Sequence, residues 1–410
     1  MMILNLCENK NNVQKDIHSH TFARQMFSSL NNRIFPSNIF GNYLLNSYRK
    51  TLLALPLILL AGCNSSSNSG KAATKAQVKP KADYVFSSVK LGKLYQEREE
   101  LQESMKLDYD GVQYETILFA EELSDEQKVV RLASRLGQSV DLYLPDAGVD
   151  DCGIYSEGNY YDSFDCGTAQ RSIGNDTTLI QTTTSDRKLA VKLEYQNELS
   201  QYVTSLGSTI LSKTKNGNKI TITTSFAFNA FYRDVLKETG AVERITSTLG
   251  ASTYSQLFDI VKLYRGSEMT LKFTNHIGGS DDDEINMYTG RMINNNKMTT
   301  VVTPTGSVFS GGTDLFAAGN PRILERADTT KAIELNKQVG VHSWAEGDKT
   351  AKEFPYTNES HRQQATYFQK VMGEKGIDFY IFTLDSAPAA GEHWMTKADS
   401  DKYGFITRIE

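Results

Sequence analysis

From Arg244 to Ile293 the chain reads strand, helix, strand, helix, and this order constrains the fold more than any other feature. Arg244-Ile-Thr-Ser-Thr-Leu-Gly250 is strand-like, Thr253 to Tyr264 has the spacing of an amphipathic helix, and Met269 to Asn275 is a second strand. After the turn His276-Ile277-Gly278-Gly279-Ser280, a helix is predicted over Asp281 to Ile293, with Ser280 as its cap and Asp283 completing a capping box. Strands joined through a helix cannot pair as a hairpin. They lie parallel with the helix covering the sheet, and ligands then gather at the carboxyl ends of the strands. Met298 to Pro304 and Gln338 to Trp344 continue the series as strands, and Ser360 to Gly376 as a polar helix.

Between those later strands stands Gly306-Ser-Val-Phe-Ser310-Gly-Gly-Thr-Asp-Leu-Phe-Ala-Ala-Gly319. Ser310 precedes two glycines and an apolar run that suits a buried helix. A serine at such an entry has free backbone N–H groups beside it, and glycines permit a reacting carbonyl to come close. An ordinary N-cap has the same residue type, so the rest of the chain must decide.

The N-terminus sets the compartment. Arg49-Lys50 precede an apolar run, Thr51 to Leu60, that ends in Leu60-Ala61-Gly62-Cys63. A basic flank and a run about half the twenty residues of a membrane span describe a secretory signal. The last four residues resemble the lipobox of bacterial lipoproteins, which implies cleavage before Cys63 and lipid on that cysteine. Asn64 to about Lys81 is polar and aperiodic, a tether. Residues 1–62 are therefore an upstream extension with a signal peptide, and 63–83 the lipidated cysteine and its arm. The expected location is the cell envelope, most simply the outer membrane facing the periplasm. With a net charge of -5 over 410 residues, the chain offers no basic field for nucleic acid.

Residues 84–242 form a predicted accessory domain of mixed α+β structure. Leu91 to Met105, Ser124 to Leu136 and Leu189 to Leu206 suit helices; Thr178 to Thr184 and Lys219 to Phe228 suit strands. Cys152 and Cys166 flank a Tyr-, Asp- and Gly-containing stretch that reads as a solvated loop, and in an oxidising compartment they are expected to pair. No metal or cofactor is expected. The acids near the loop lack calcium-loop spacing, and the run Asp281-Asp282-Asp283-Glu284 suits a helix N-terminus.

The order Gly278-Gly279, then Ser310 with Ala317-Ala318-Gly319 behind it, then Gly340-Val341-His342, then Glu392-His-Trp-Met-Thr396 and Tyr403-Gly-Phe-Ile-Thr407, resembles the proteolytic subunit of the Clp protease, within the crotonase-like superfamily. The resemblance covers 243–410. It implies an α/β fold with a Clp-like ββα-spiral catalytic domain at the C-terminus, Ser310 as nucleophile and His342 as general base. It also implies Glu392 as the acid, with Asp385 in reserve, and an oxyanion hole from Gly311 with Gly278 or Gly279. The chain has no Gly-x-x-x-x-Gly-Lys-Ser/Thr loop, and the envelope lacks ATP, so no ATPase partner is expected. The expected activity is ATP-independent serine hydrolysis of peptides or unfolded segments, by a monomer or a homo-oligomer. A binding or assembly module on the same frame is the alternative, and the thioester chemistry of the wider superfamily would need coenzyme A, which is not expected in this compartment.

Overall fold

The computed structural model describes residues 79–410, apart from 124–126, 146–150, 157–158, 168–169, 174–176, 197–202 and 234–244. Cys63, the expected signal and the tether as far as residue 78 lie outside the described residues; the last part of the expected tether, 79–83, is packed on the domain, Asp83 pairing with Arg362 at 2.6 Å. Among those described, no helix is long and apolar enough to cross a membrane.

The described residues start with an extended segment from Lys79 that leads into helix α1, Ser88–Gln102, capped by Ser87. Nine strands follow: β1 Met105–Tyr109, β2 Val112–Glu122, β3 Lys128–Ser134, β4 Ser139–Leu144, β5 Asp151–Ser156, β6 Asn159–Asp165, β7 Gln170–Ile173, β8 Thr177–Thr183 and β9 Ala190–Gln196. They make one antiparallel sheet in the order β6-β5-β4-β3-β2-β1-β9-β8-β7. A bridge between Phe164 and Thr184 curls its far end towards β8.

Two expected helices are strands here. The segment read as a helix over 124–136 is β3, because it is buried on both faces. Val129 packs with Tyr143, Tyr155 and Phe231, while Val130 and Leu132 enter the core on the other side, so no alternation marks the strand. The stretch from Leu189 becomes β9, whose Val191 and Leu193 alternate inward between β1 and β8. The expected solvated loop is the β5–β6 hairpin, with Ile154 and Phe164 fully buried. Cys152 and Cys166 form a disulfide across it, with Cα atoms 5.8 Å apart.

The second half begins earlier than residue 243. The hairpin β10 Thr209–Asn216 and β11 Lys219–Phe226 pairs in parallel with β13, Glu268–Phe273, and so belongs to the later sheet. Around it the chain winds in repeated strand–strand–helix turns: β12 Thr246–Leu249, α2 Ala251–Leu263, β13, β14 His276–Ser280, α3 Asp283–Asn295, β15 Thr299–Val302, β16 Ser307–Phe309, α4 Gly311–Ala317, β17 Arg322–Leu324 and β18 Val339–Val341. Helices α5 Glu359–Met372 and α6 Gly376–Ser386 follow, then β19 His393–Trp394, α7 Lys397–Tyr403 and β20 Arg408–Ile409.

Alternate strands go to alternate sheets. One sheet runs β10-β11-β13-β15-β17-β20, with β10 as its edge, and the other β12-β14-β16-β18-β19. Apart from β10 and β19 the pairings are parallel, as the strand–helix alternation requires. Between the sheets and helices lies a core of Phe273, Phe316, Phe368, Phe379 and Phe405, all at most 1% exposed. Gly278 and Gly279 sit inside β14 rather than in a turn, and Asp282 caps α3 in place of Ser280, its Oδ1 accepting from the N–H groups of Glu284 and Ile285 at 3.1 and 3.0 Å.

The two halves meet along β2. Ser252 Oγ donates to the Leu118 carbonyl at 2.7 Å, and Ala120 N–H to that of Gly207 at 3.1 Å. Glu121 is 4% exposed and accepts from the hydroxyls of Ser208 and Thr248. Burial pushes its pKa up to about 8, and Asp281 beyond β14 is likewise raised by burial and by Glu121. The N-terminal segment adds a second contact: Tyr84 Oη donates to Glu284 at 3.0 Å, Lys90 Nζ lies 2.7 Å from the same carboxylate, and the Phe86 ring packs edge-on against Tyr288.

Candidate active site

Ser310 joins β16 to α4 with φ 51° and ψ -123°. Left-handed φ in a residue other than glycine, asparagine or aspartate is uncommon and is held in place only by its surroundings. Here the surroundings are tight. A Cβ on Gly311 would come within 2.3 Å of Ser280 Oγ and 2.9 Å of Ser280 N, so only glycine lets α4 begin against β14. Thr313 Oγ1 donates to the Gly340 carbonyl at 2.6 Å, and Asn286 Nδ2 to the Gly311 carbonyl at 3.0 Å. Helix α4 is thereby fixed to β18 and α3. Ser310 does not use its hydroxyl as a cap, and the first turn of α4 leaves backbone N–H groups without intrahelical acceptors.

Gly279 lies alongside the serine. A Cβ there would stand 3.7 Å from Ser310 Cβ and 3.9 Å from its Oγ, whereas one on Gly278 would face Thr246. Of the two glycines expected at an oxyanion hole, Gly279 flanks Ser310 and Gly278 points to the neighbouring strand β12.

His342 follows β18, beside β16, and its ring lies 4.8 Å from that of Phe309, the residue before Ser310. Its Nδ1 is 2.6 Å from the Ala389 carbonyl. A carbonyl can only accept, so Nδ1 carries the proton and Nε2 keeps its lone pair. Burial lowers the pKa of His342; the Ala389 carbonyl and the charges of Asp283 and Glu392 oppose that shift. The ring is therefore neutral at pH 7 and able to take a proton at Nε2.

The expected acids go elsewhere. Glu392 is exposed, accepts from Trp394 Nε1 at 2.9 Å and lies 3.9 Å from Lys337 Nζ. Its charge acts on His342 only through space, and the Ala389 carbonyl, not Glu392, meets Nδ1. Asp385 is exposed at the end of α6 and pairs with Lys352 at 2.7 Å. The carboxylate that the sequence pattern passed over is Asp283. It accepts from Ser280 Oγ, and its negative charge favours the protonated form of His342. Its carboxyl is raised by the protein walls around it, and Asp314 on α4 is raised by burial and by Asp283. Asp283 is the exposed member of the run, and nothing in the sequence of four acids distinguishes it as the one that bonds Ser280.

No protein-family model matches this chain, and no curated protein matches it. Solved structures do. The chain is similar to Pseudomonas aeruginosa DspI, with 12% identity and a TM-score of 0.29 over 49% of this chain and 68% of that one. An enoyl-CoA hydratase from Shewanella pealeana gives 13% and 0.30 over 49% and 68%, and one from Bacillus anthracis 11% and 0.29 over 49% and 69%. With TM-scores below one half, these likenesses carry no argument about this chain.

Proposed function

We propose that the chain is an ATP-independent serine hydrolase of peptidase type, anchored in the cell envelope through lipid on Cys63 and acting on peptides or unfolded segments. The observation that carries this reading is Ser310 itself: a strained serine at the start of a buried helix, next to Gly279 and directly after Phe309, whose ring packs on that of His342, a neutral histidine with its lone pair at Nε2.

In the proposed reaction Nε2 of His342 takes the proton of Ser310 Oγ as the oxygen attacks the substrate carbonyl carbon. The N–H groups of Gly311 and Gly279 receive the oxyanion, a charge present only in the transition state. Collapse of the tetrahedral intermediate breaks the bond to the leaving group, which departs with the proton from His342. Water, deprotonated by the same nitrogen, then hydrolyses the acyl-serine. The imidazolium formed on the way is stabilised at a distance by Asp283 and Glu392 and held in orientation by the Ala389 carbonyl.

A fluorophosphonate probe tests this directly. Labelling of the chain should disappear in Ser310→Ala and fall by at least a factor on the order of a thousand in His342→Ala. A folded chain that takes no label refutes the hydrolase reading. It would then select the second one, a binding or assembly module on the same frame, which the backbone carbonyl in the place of a triad carboxylate favours.

A further inference from the structure

His342 and the carbonyl that orients it belong to different segments. His342 and Trp344 extend from β18, while Ala389 lies just beyond the end of α6. Ser343 N–H donates to the Ala387 carbonyl at 2.9 Å, so the two segments run together, and one side chain ties them more deeply. Tyr380 in α6, completely buried, accepts from Trp344 Nε1 at 2.9 Å. Its own proton has a fixed direction. His361 in α5 places Nδ1 2.8 Å from the Tyr380 hydroxyl and Nε2 2.9 Å from the Ala351 carbonyl. The carbonyl demands N–H at Nε2, which leaves Nδ1 of the neutral ring as the acceptor for Tyr380.

The chain of donors is thus closed in one sense: Trp344 to Tyr380, Tyr380 to His361, His361 to Ala351. Ala351 N–H completes the circuit by donating to the Trp344 carbonyl at 3.0 Å. His361 is completely buried, with its ring 5.0 Å from that of Trp344, and burial keeps it below the usual histidine range and neutral. A buried network in which every member is satisfied admits a single arrangement. Nothing in the proposed reaction touches it.

We propose that Tyr380, with His361 behind it, is the positioning residue for His342: its hydroxyl locks the Trp344 segment to α6 and so keeps the Ala389 carbonyl on Nδ1. This inference rests on the reading of Ser310 and His342 as nucleophile and base. It assigns to a distant neutral network the orienting part that a carboxylate plays in a triad, and leaves charge stabilisation to Asp283 and Glu392.

The test uses the whole chain with nitrogen-15 in its histidines, so that side-chain NMR reports which ring nitrogen carries the proton. The parent should show His342 protonated at Nδ1. Tyr380→Phe, which removes only the hydroxyl, should give a mixture of His342 tautomers and slow fluorophosphonate labelling by roughly tenfold to a hundredfold. His361→Gln, whose amide can accept from Tyr380 and donate to Ala351, should restore most of the rate lost in His361→Leu. The proposal is overturned by a folded Tyr380→Phe chain in which His342 stays protonated at Nδ1, or by a parent in which Nε2 carries the proton. If the parent takes no label, the hydrolase reading fails while the tautomers still decide the positioning.

Discussion

The two halves of the molecule are closed by different means. In the nine-stranded sheet β1 to β6 form a meander and β7 to β9 another, so most strands pair with a neighbour in sequence, and a disulfide pins the outer hairpin. The ββα half has no cysteine among its residues. Its parallel strands meet partners a full turn of the spiral away, and its last strand, Arg408–Ile409, comes back to lie beside β17. What holds that return is Arg322, 9% exposed, whose guanidinium donates to the carbonyls of Gly319, Gly404 and Phe405. Those atoms close the ends of α4 and α7. A local meander can be fastened within itself, whereas a spiral needs a clamp between distant segments, and the same long reach brings 279, 310, 342 and 389 to one place.

Breaking the clamp or the disulfide should give the largest effects on stability. Arg322→Met leaves the buried carbonyls of Gly319 and Phe405 without this donor and is expected to cost about 3 kcal/mol, read as earlier denaturant unfolding of the ββα half with the sheet unaffected. Replacing Cys152 and Cys166 by serine should cost about 3 kcal/mol in the sheet, by the loop-entropy argument. Because that staple lies in the other half, serine labelling at 25 °C should be unchanged; a parallel loss of labelling would show that the halves unfold as one.

A third variant addresses the joint. Glu121 has a pKa raised to about 8 in the folded protein, above its unfolded value, so it binds more protons folded than unfolded between the two. Its contribution to stability therefore falls as pH rises from about 4.5 to 8. Glu121→Gln keeps an acceptor for Ser208 and Thr248 and should make the protein more stable by about 2 kcal/mol at pH 8 and no more stable at pH 4. Equal thermal midpoints of parent and variant at both pH values would contradict it.

The halves also differ in how much of them could be read beforehand. In the ββα half, from β12 onward, short strands alternate in pairs with helices, so Gly311-Gly312 and Gly319 mark α4 and the position of Ser310 at its start follows from them, whereas Gly278-Gly279, expected as a turn, lies inside β14. In the sheet, β3 is buried on both faces and its pattern has no period, while β9 takes its identity from β1 and β8. Strand β11 was legible and β10 was not, and the parallel partner of β11, β13, lies beyond a segment of some forty residues. At the site, the missing features were those without side-chain signatures. The Ala389 carbonyl is a backbone atom, and the helix Gly376–Ser386 that presents it was not marked by any cap that a sequence pattern would catch.

The edge position of β10 has a consequence for self-association. A row of unpaired edge backbone groups is a template on which another chain could add a strand, and in β10 Gln256 already covers the start of that row, accepting from Leu211 N–H at 2.9 Å and donating to the Thr209 carbonyl at 3.0 Å. The row ends in Ser212-Lys213-Thr214-Lys215-Asn216, all exposed, with two lysines whose charges would meet their own copies if two such edges approached in antiparallel fashion. The opposite edge is the two-residue Arg408–Ile409, too short to propagate pairing. The open sheet is therefore guarded at one end by repulsion and at the other by brevity, which disfavours edge-to-edge growth from this sheet.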